Sequence, residues 1–366
     1  MTRPAPDRPA LTTPEQLQAP ESVRARRLRT ARQPGLGLRG LVLVVPIAVL
    51  IAIGAGGPER SLLVLGPLVT FALPAVVMIA FWWDDWPGTT ARASWSGWLD
   101  TALVAVFAVV LTIAGQAVVA RVDLPVLFDA YPAARHLATF PALMPLAGAA
   151  FTVMLQYTLV TEGWPVRRLP AIPAGIVALI LSWGVAAVLY LVLVDFRPPP
   201  ATGLDARPGP VSGATFGAAL TVIGVWQVWF YLAWRGWPVT RISDRAARLL
   251  AGNAIVIVGG LASYAILAAT ELRPATITAG AGALIAAGLT VAMLFEGAIT
   301  GRLASVAAIV AVAAVLYAAF WLIAQALTWT RAEPVEWVAH VALNAWSVSV
   351  ILHVAIGRRW PFGEPG

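Results

Sequence analysis

Ten predominantly apolar runs, each about long enough to cross a bilayer, restrict this chain to a membrane. Runs such as 41–51 and 103–111 are apolar on every face, which is typical of helices buried in lipid or protein. Barrel strands would alternate apolar and polar residues. Only 12% of the residues are charged, whereas soluble domains carry roughly 25%. We therefore predict an all-α polytopic membrane protein with about ten transmembrane helices, at 38–56, 61–83, 98–120, 140–161, 171–194, 213–234, 246–269, 276–297, 304–326 and 337–357.

The arginines predict how these spans are oriented. The chain has no lysine, and 18 of its 25 basic residues fall in the N-terminal tail, in the loops after even-numbered spans and at the C-terminus. Because positive charge is retained on the cytoplasmic side, both termini are predicted to be cytoplasmic. The predicted location is the plasma membrane, which is the inner membrane of a cell that has two, and the protein would cross it several times. The net charge of +7 is then explained mostly by the arginines that orient the spans in the membrane. The predicted partner is the lipid bilayer, and no nucleic acid is expected.

The two ends of the chain differ from its apolar middle. Residues 1–37 are basic, rich in proline and without an apolar run, which predicts a disordered cytoplasmic tail and excludes a secretory signal peptide. Within that tail, 21–32 is either a topogenic charge cluster or a short basic helix on anionic headgroups. Residues 38–357 form the predicted transmembrane domain, and 358–366 form a short cytoplasmic tail.

A Trp-Pro dipeptide follows four of the five even-numbered spans. The fifth even-numbered span is followed by 295–302, which contains Glu296 and no Trp-Pro. Proline stops a helix, and tryptophan prefers the headgroup level of a bilayer. We therefore predict five tandem helical hairpins, four of them closed by this motif and the fourth in order divergent. The indoles would be interfacial anchors; the alternative is that they form a cytoplasmic surface for a partner, a lipid headgroup or a substrate. The four tryptophans are Trp86, Trp164, Trp237 and Trp360.

The polar residues within the predicted spans are mostly neutral. No ionisable group falls at a predicted midplane, which argues against a carboxylate proton relay. Neutral amides and hydroxyls either join helices through hydrogen bonds or line a path for a neutral or zwitterionic ligand. Glu296 is included among the candidate binding residues because it lies at the end of the one predicted hairpin that lacks Trp-Pro. The candidate binding residues are Gln156, Gln227, Asn253, Tyr264, Glu296, Asn344 and His353.

Several kinds of chemistry are excluded by composition. The absence of cysteine rules out disulfides and thiolate ligands, and three histidines far apart in sequence predict no metal site. No phosphate-binding loop, zinc-protease motif or serine-hydrolase motif is present, so no cofactor and no catalytic residue is predicted.

Three functions stay open. The first is a transporter or permease for a small neutral or zwitterionic solute, which requires a polar cavity. The second is a non-catalytic membrane subunit or scaffold that docks a partner on its Trp-Pro face. The third is a membrane enzyme acting on a lipid or isoprenoid. The acids that could act in such an enzyme would have to lie together around one pocket. These acids are Asp84, Asp85, Asp100, Glu162 and Glu296.

Overall fold

The computed structural model describes residues 29–362, and this part of the chain is built almost entirely from helices. Nine of the helices in that range are long and apolar enough to cross a membrane, and a further apolar helix, Met144–Val160, is shorter. The predicted multi-pass helical membrane protein is confirmed. The count of ten spans and the cytoplasmic placement of the termini stay predictions. Most of the predicted tail 1–37 and part of 358–366 lie outside the described residues.

The helices are labelled α1 to α10 in chain order. A one-turn helix, Thr139–Ala142, precedes α4, and two-residue strands β1 (Val194–Asp195) and β2 (Val211–Ser212) pair in parallel between α5 and α6. The ten helices are α1 Gly35–Ile53, α2 Pro58–Trp82, α3 Ala93–Val119, α4 Met144–Val160, α5 Ala171–Leu193, α6 Gly213–Ala233, α7 Arg245–Ala268, α8 Pro274–Leu294, α9 Arg302–Gln325 and α10 Pro334–Ile356.

Local sequence explains where several helices begin. Proline occupies the first turn of α2, α8 and α10 as Pro58, Pro274 and Pro334, where its missing N–H costs no hydrogen bond. Ser212 and Asp244 precede α6 and α7, and each side chain accepts a hydrogen bond from the backbone N–H three residues on. These residues therefore determine where the helices begin.

The five even-numbered helices form a closed inner ring. α2 contacts α4, α4 contacts α6, α6 contacts α8, α8 contacts α10, and α10 returns to α2. Side-chain hydrogen bonds join neighbouring helices of this ring, for example from Trp82 to Thr158 at 2.9 Å and from Trp346 to Thr290 at 2.9 Å. Because even-numbered helices run in the same direction, all five end at one side of the ring.

The odd-numbered helices lie outside the ring and face the surroundings. In the most apolar stretch of α2, 89% of residues are buried, against 17% for α7. Large apolar side chains such as Ile180, Ile266 and Leu322 point outward and are more than half exposed. Such an apolar outer surface suits lipid, because lipid tails are as apolar as the side chains themselves.

Packing pairs the helices differently from the predicted hairpin unit. α3, α5, α7 and α9 each contact most extensively the even-numbered helix that precedes them, and α1 packs between α2 and α10. A Trp-Pro turn therefore lies inside three of these four closely packed pairs, and the pair of α8 and α9 has none. The five tandem hairpins stay a prediction.

Each Trp-Pro motif lies in the same kind of turn. The preceding helix ends in a π-turn, and two successive residues then adopt φ between 47° and 75°. The second of these residues donates its N–H to the carbonyl six residues back, as Asp85 does to Ile79 and Arg359 does to His353. All four Trp-Pro peptide bonds are cis. We call the side of the ring that carries these turns the Trp-Pro end, and the other side the opposite end.

Glu59 joins three segments at the opposite end. One carboxylate oxygen accepts hydrogen bonds from the backbone N–H groups of Thr330, Arg331 and Ala332, and the other accepts from the hydroxyl of Tyr131 at 2.8 Å. The carboxylate is buried, with 8% of the residue exposed. It therefore ties the start of α2 to the connections before α4 and α10.

We expect Glu59→Gln to lower the free energy of unfolding by about 2 kcal/mol, because charge-assisted hydrogen bonds are replaced by neutral ones. The hydroxyls around the new amide can rotate to accept, so the protein should still fold. Thermal unfolding in detergent measures the change. The exposed Asp205, also at the opposite end, supplies the control, and Asp205→Asn should leave the unfolding midpoint unchanged. Equal effects of the two variants would contradict the role given to Glu59.

Candidate functional site

A cavity of about 1070 Å³ lies on the axis of the helix ring. All five even-numbered helices contribute to its wall, which reaches from Phe140 and Ala275 near the opposite end to Asp85 and Arg358 at the Trp-Pro end. Most of the lining is apolar, including Leu73, Val76, Phe81, Phe151, Leu155, Ile285 and Leu289. The ring therefore encloses space for a solute rather than a closely packed core.

A short irregular segment of α10 presents polar groups to this cavity. Residues Val341–Ser347 form a π-helical stretch, a feature that often occurs at functional sites. The Asn344 amide accepts from the Thr70 hydroxyl at 3.1 Å and lies 3.3 Å from His340 Nδ1. His340 Nε2 lies 3.3 Å from the Ile51 carbonyl, which can only accept, so Nδ1 accepts from Asn344. Apolar periodicity alone does not predict such a stretch.

A chain of three amides crosses from the outer helices to the cavity. Asn253 donates to the Leu249 carbonyl and accepts from Gln156 at 2.9 Å. Gln156 in turn accepts from Gln227 Nε2 at 2.8 Å, and that same nitrogen donates to the Thr152 carbonyl at 3.0 Å. The chain joins α7, α4 and α6, and Gln227 lines the cavity.

The structure separates the seven predicted binding residues into two groups. Gln227, Glu296 and Asn344 line the cavity. The others lie in contacts between helices: Gln156 and Asn253 within the amide chain, Tyr264 against buried residues of α6 and α8, and His353 buried beside Phe362. A ligand-binding role for any of the seven stays a prediction.

Charged side chains surround the cavity at the Trp-Pro end. Asp85, after α2, pairs with Arg358, after α10, at 3.1 Å. Glu296, after α8, pairs with Arg29 at 2.9 Å and lies 3.8 Å from Arg359. These ion pairs join the ends of three inner helices and the start of the described chain.

The end of α8, which has no Trp-Pro, is held by other parts of the chain. Gln33 donates to the Leu294 carbonyl at 3.1 Å, and Arg359 donates to the same carbonyl at 3.2 Å. Thr30 lies against Gly297, which has a positive φ of 79°. The segment before α1 thus contacts the end of α8 at the position that a Trp-Pro turn takes after the other four inner helices.

The predicted acidic candidates do not gather around one pocket. Glu162 pairs with Arg245 at 3.2 Å and with Arg248 at 3.3 Å, away from the cavity wall. Asp100 is fully buried and accepts from the Gly88 N–H at 2.8 Å. Among residues 29–362, no group of three or more His, Asp and Glu side chains is placed to hold a metal ion.

Asp85 has an unusual ionisation equilibrium. Burial raises the pKa of its carboxyl from 3.8 to about 6, and the charges of Asp100 and Asp84 add to this, while Arg358 acts in the opposite direction. A raised pKa means that the folded protein favours the protonated acid. Its stabilising contribution is therefore complete below the unfolded pKa of 3.8 and is lost as the pH rises through about 6.

We expect Asp85→Asn to remove this pH dependence, because the amide has the same shape and does not ionise. Between pH 5 and 7.5 the wild type should lose about 1–2 kcal/mol of stability relative to the variant. Thermal unfolding of both proteins at the two pH values measures this difference. Asp205 is an exposed acid at the opposite end, and Asp205→Asn should follow the wild type at both pH values. A constant difference between Asp85→Asn and wild type would show that Asp85 does not titrate in this range.

The site therefore combines a largely apolar chamber, neutral hydrogen-bonding groups such as Asn344 on its wall and charged side chains at the Trp-Pro end. Such an arrangement can hold a solute of substantial size. In comparisons with known proteins, no family model, no curated protein and no solved structure matches this chain.

Proposed function

We propose that this protein is a permease of the plasma membrane, and that its solute passes through the cavity inside the helix ring. The observation that carries the proposal is the extent of the cavity, whose wall includes residues of both ends of the five inner helices. A scaffold has no need of such a chamber. An enzyme would need its predicted acids to meet at one point of the chamber, whereas Asp100 and Glu162 lie away from its wall. The neutral groups on its wall, Gln227 and Asn344 among them, suit a solute that is uncharged along most of its length.

The ion pairs at the Trp-Pro end support a gated path. Asp85 and Arg358 hold α2 against α10, and the two side chains are 19% and 40% exposed. An ion pair that water can reach contributes little net free energy, so it can open and close at low cost. A permease needs such an element, because the two ends of its path must not stand open together.

Thiol labelling tests the proposal without knowledge of the solute. The chain has no cysteine, so each single-cysteine variant carries one reactive thiol. Thr221 and Ala292 are half-buried residues of the cavity wall, the first in the middle of α6 and the second near the end of α8. In reconstituted vesicles, Thr221→Cys and Ala292→Cys should each react with a charged methanethiosulfonate that cannot cross the bilayer, whichever side receives it.

Two exposed positions calibrate the labelling. Asp205 lies at the opposite end and Thr240 at the Trp-Pro end, so Asp205→Cys and Thr240→Cys should each react from one side only, and from different sides. If the Trp-Pro end is cytoplasmic, as we propose, Thr240→Cys will react from the inside of intact cells. Reaction of both cavity variants from a single side would rule out a continuous path.

The exposed indoles at the Trp-Pro end favour the scaffold as the second candidate. Trp86, Trp164 and Trp360 are 39%, 45% and 45% exposed, while Trp237 is half-buried between Arg241 and Arg302. At the bilayer surface these rings serve equally as interfacial anchors. A scaffold needs no path between the two sides, so under this alternative Thr221→Cys and Ala292→Cys would not both react from both sides.

A further inference from the structure

Two arginines stack on the indole of one Trp-Pro motif. The guanidinium carbon of Arg302 lies 4.8 Å from the centre of the Trp237 ring, and that of Arg241 lies 5.8 Å from it. Cation–π attraction to an indole needs no carboxylate, so the charge of each guanidinium stays available to a further partner. Both arginines are exposed. The Trp237 turn therefore presents two positioned guanidinium groups on the outside of the molecule.

These two charges have no acidic partner in the protein. Within residues 29–362, no carboxylate pairs with Arg241 or Arg302, and neither guanidinium donates a hydrogen bond. The arginine at the last Trp-Pro turn differs, since Arg358 pairs with Asp85 at 3.1 Å. Two neighbouring positive charges without a carboxylate repel each other, and an anion that contacts both removes this repulsion. The Trp237 turn therefore favours an anionic ligand.

The stacked arginines lie where three of the long apolar helices begin or end. α6 ends four residues before Trp237, α7 begins four residues after Arg241, and Arg302 is the first residue of α9. The ends of spanning helices lie at the level of the lipid headgroups, where arginine and tryptophan are both favoured. If the Trp-Pro end is cytoplasmic, as we propose, these arginines face the leaflet that has the negative surface potential.

An apolar surface continues from the arginines along the outer helices. α7 and α9 both contact α6 and α8, but they do not pack extensively on each other, so a cleft separates the two outer helices. Leu303, next to Arg302, is 87% exposed, and Leu250, in the second turn of α7, is 74% exposed. Exposed apolar side chains on both helices suit an acyl chain, which can extend from a headgroup that the arginines hold.

We propose that Arg241 and Arg302 bind the phosphate of an anionic phospholipid, whose acyl chains lie along the apolar surfaces of α7 and α9. Guanidinium groups bind phosphate through charge-assisted hydrogen bonds, and basic pockets between spanning helices bind anionic headgroups. Neither arginine belongs to the cavity wall that the structure describes, so this site is separate from the proposed path of the solute. A lipid bound here joins the connection before α7 to the start of α9.

Competition between two lipids tests the site. The full-length protein in dodecyl maltoside is mixed with equal amounts of dioleoyl-phosphatidylglycerol and dioleoyl-phosphatidylcholine, and native mass spectrometry measures which lipid the protein retains. The two lipids have the same acyl chains and the same phosphate, but choline cancels the phosphate charge. The wild type should retain the anionic lipid about tenfold more often. Equal retention would contradict the proposal and would favour an acidic protein as the partner of the two arginines.

Two variants assign the preference to the stacked pair. The double variant Arg241→Gln, Arg302→Gln removes both charges and breaks no hydrogen bond of the described chain, so it should fold and its preference should fall towards unity. Arg168→Gln is the matched control, because Arg168 is exposed and its guanidinium carbon lies 6.0 Å from the centre of the Trp164 ring. Its preference should match that of the wild type. Equal losses in the two proteins, or an unchanged preference in the double variant, would overturn the assignment.

A soluble headgroup distinguishes a lipid site from a site for free phosphate esters. Glycerophosphoglycerol carries the headgroup of phosphatidylglycerol and has no acyl chain. Because the acyl chains contribute to binding, this compound at the concentration of the lipid should not displace it from the wild type. Displacement at that concentration would show that the apolar surfaces of α7 and α9 take no part, which rules out the lipid as the specific ligand. This comparison needs no variant, so it tests the proposal even if the double variant does not fold.

Discussion

Gly217→Trp should block the cavity near the opposite end and cut the reaction of Ala292→Cys from that side by about tenfold or more, which corresponds to about 1.4 kcal/mol added to the barrier. Gly217 lines the cavity four residues into α6, and no atom lies within 4 Å of the position that its Cβ would take. An indole there enters open space instead of clashing. Because Ala292 lies near the Trp-Pro end, its labelling from the Trp-Pro side should not change.

Gly184 provides the matched control for this substitution. It lies in the middle of α5, its Cβ position is equally open, and it is exposed on the outer face of the ring. Gly184→Trp therefore adds the same side chain to a helix without entering the cavity. Labelling of Ala292→Cys in this background should match the parent from both sides. A similar slowing by both glycine variants, or no slowing by Gly217→Trp, would show that reagent does not travel along the ring axis.

The helices of this fold could be predicted because the physical signal is local. The sequence predicts a span at 171–194, and α5 runs from Ala171 to Leu193. The two agree because a spanning helix keeps its apolar residues within the lipid and polar residues follow at its ends. The closed ring could not be predicted in this way. α2 is mostly buried and α7 mostly exposed, yet both are long apolar runs in the sequence. Lipid and protein interior are equally apolar, so hydropathy does not distinguish an inner helix from an outer one.

The candidate site shows the same limit at the level of single side chains. Gln156, Gln227 and Asn253 are alike in sequence, being amides within apolar helices. Only the packing of the helices determines that Gln156 and Asn253 form hydrogen bonds between helices while Gln227 lines the cavity. Glu296 stands out in the sequence, because it lies where the other even-numbered spans are followed by Trp-Pro. Its partners, Arg29 and Arg359, are separated from it by long stretches of chain, and no local pattern connects them.

Arg359→Met should destabilise the protein by about 3–5 kcal/mol, the usual cost of removing one partner from a buried ionic contact. The Arg359 side chain is 7% exposed, lies 3.8 Å from Glu296 and donates to the carbonyls of Met293 and Leu294 at the end of α8. Methionine fills a similar volume and offers none of these donors. The Met293 carbonyl would then lose this donor, the Leu294 carbonyl would keep only Gln33, and Glu296 would lose one of its two cations. The unfolding midpoint in detergent should fall accordingly.

The adjacent arginine separates this effect from a general loss of charge. Arg358 is 40% exposed and pairs with Asp85, so Arg358→Met should cost only about 0–1 kcal/mol. Arg359→Lys should be intermediate, because an ammonium keeps the attraction to Glu296 but cannot reach two carbonyls at once as the guanidinium fork does. The order Arg359→Met, Arg359→Lys, Arg358→Met follows only if Arg359 holds the end of α8 in place of the missing Trp-Pro turn. Equal losses for the two methionine variants would mean that the α8 end is held by the Arg29 and Gln33 contacts alone.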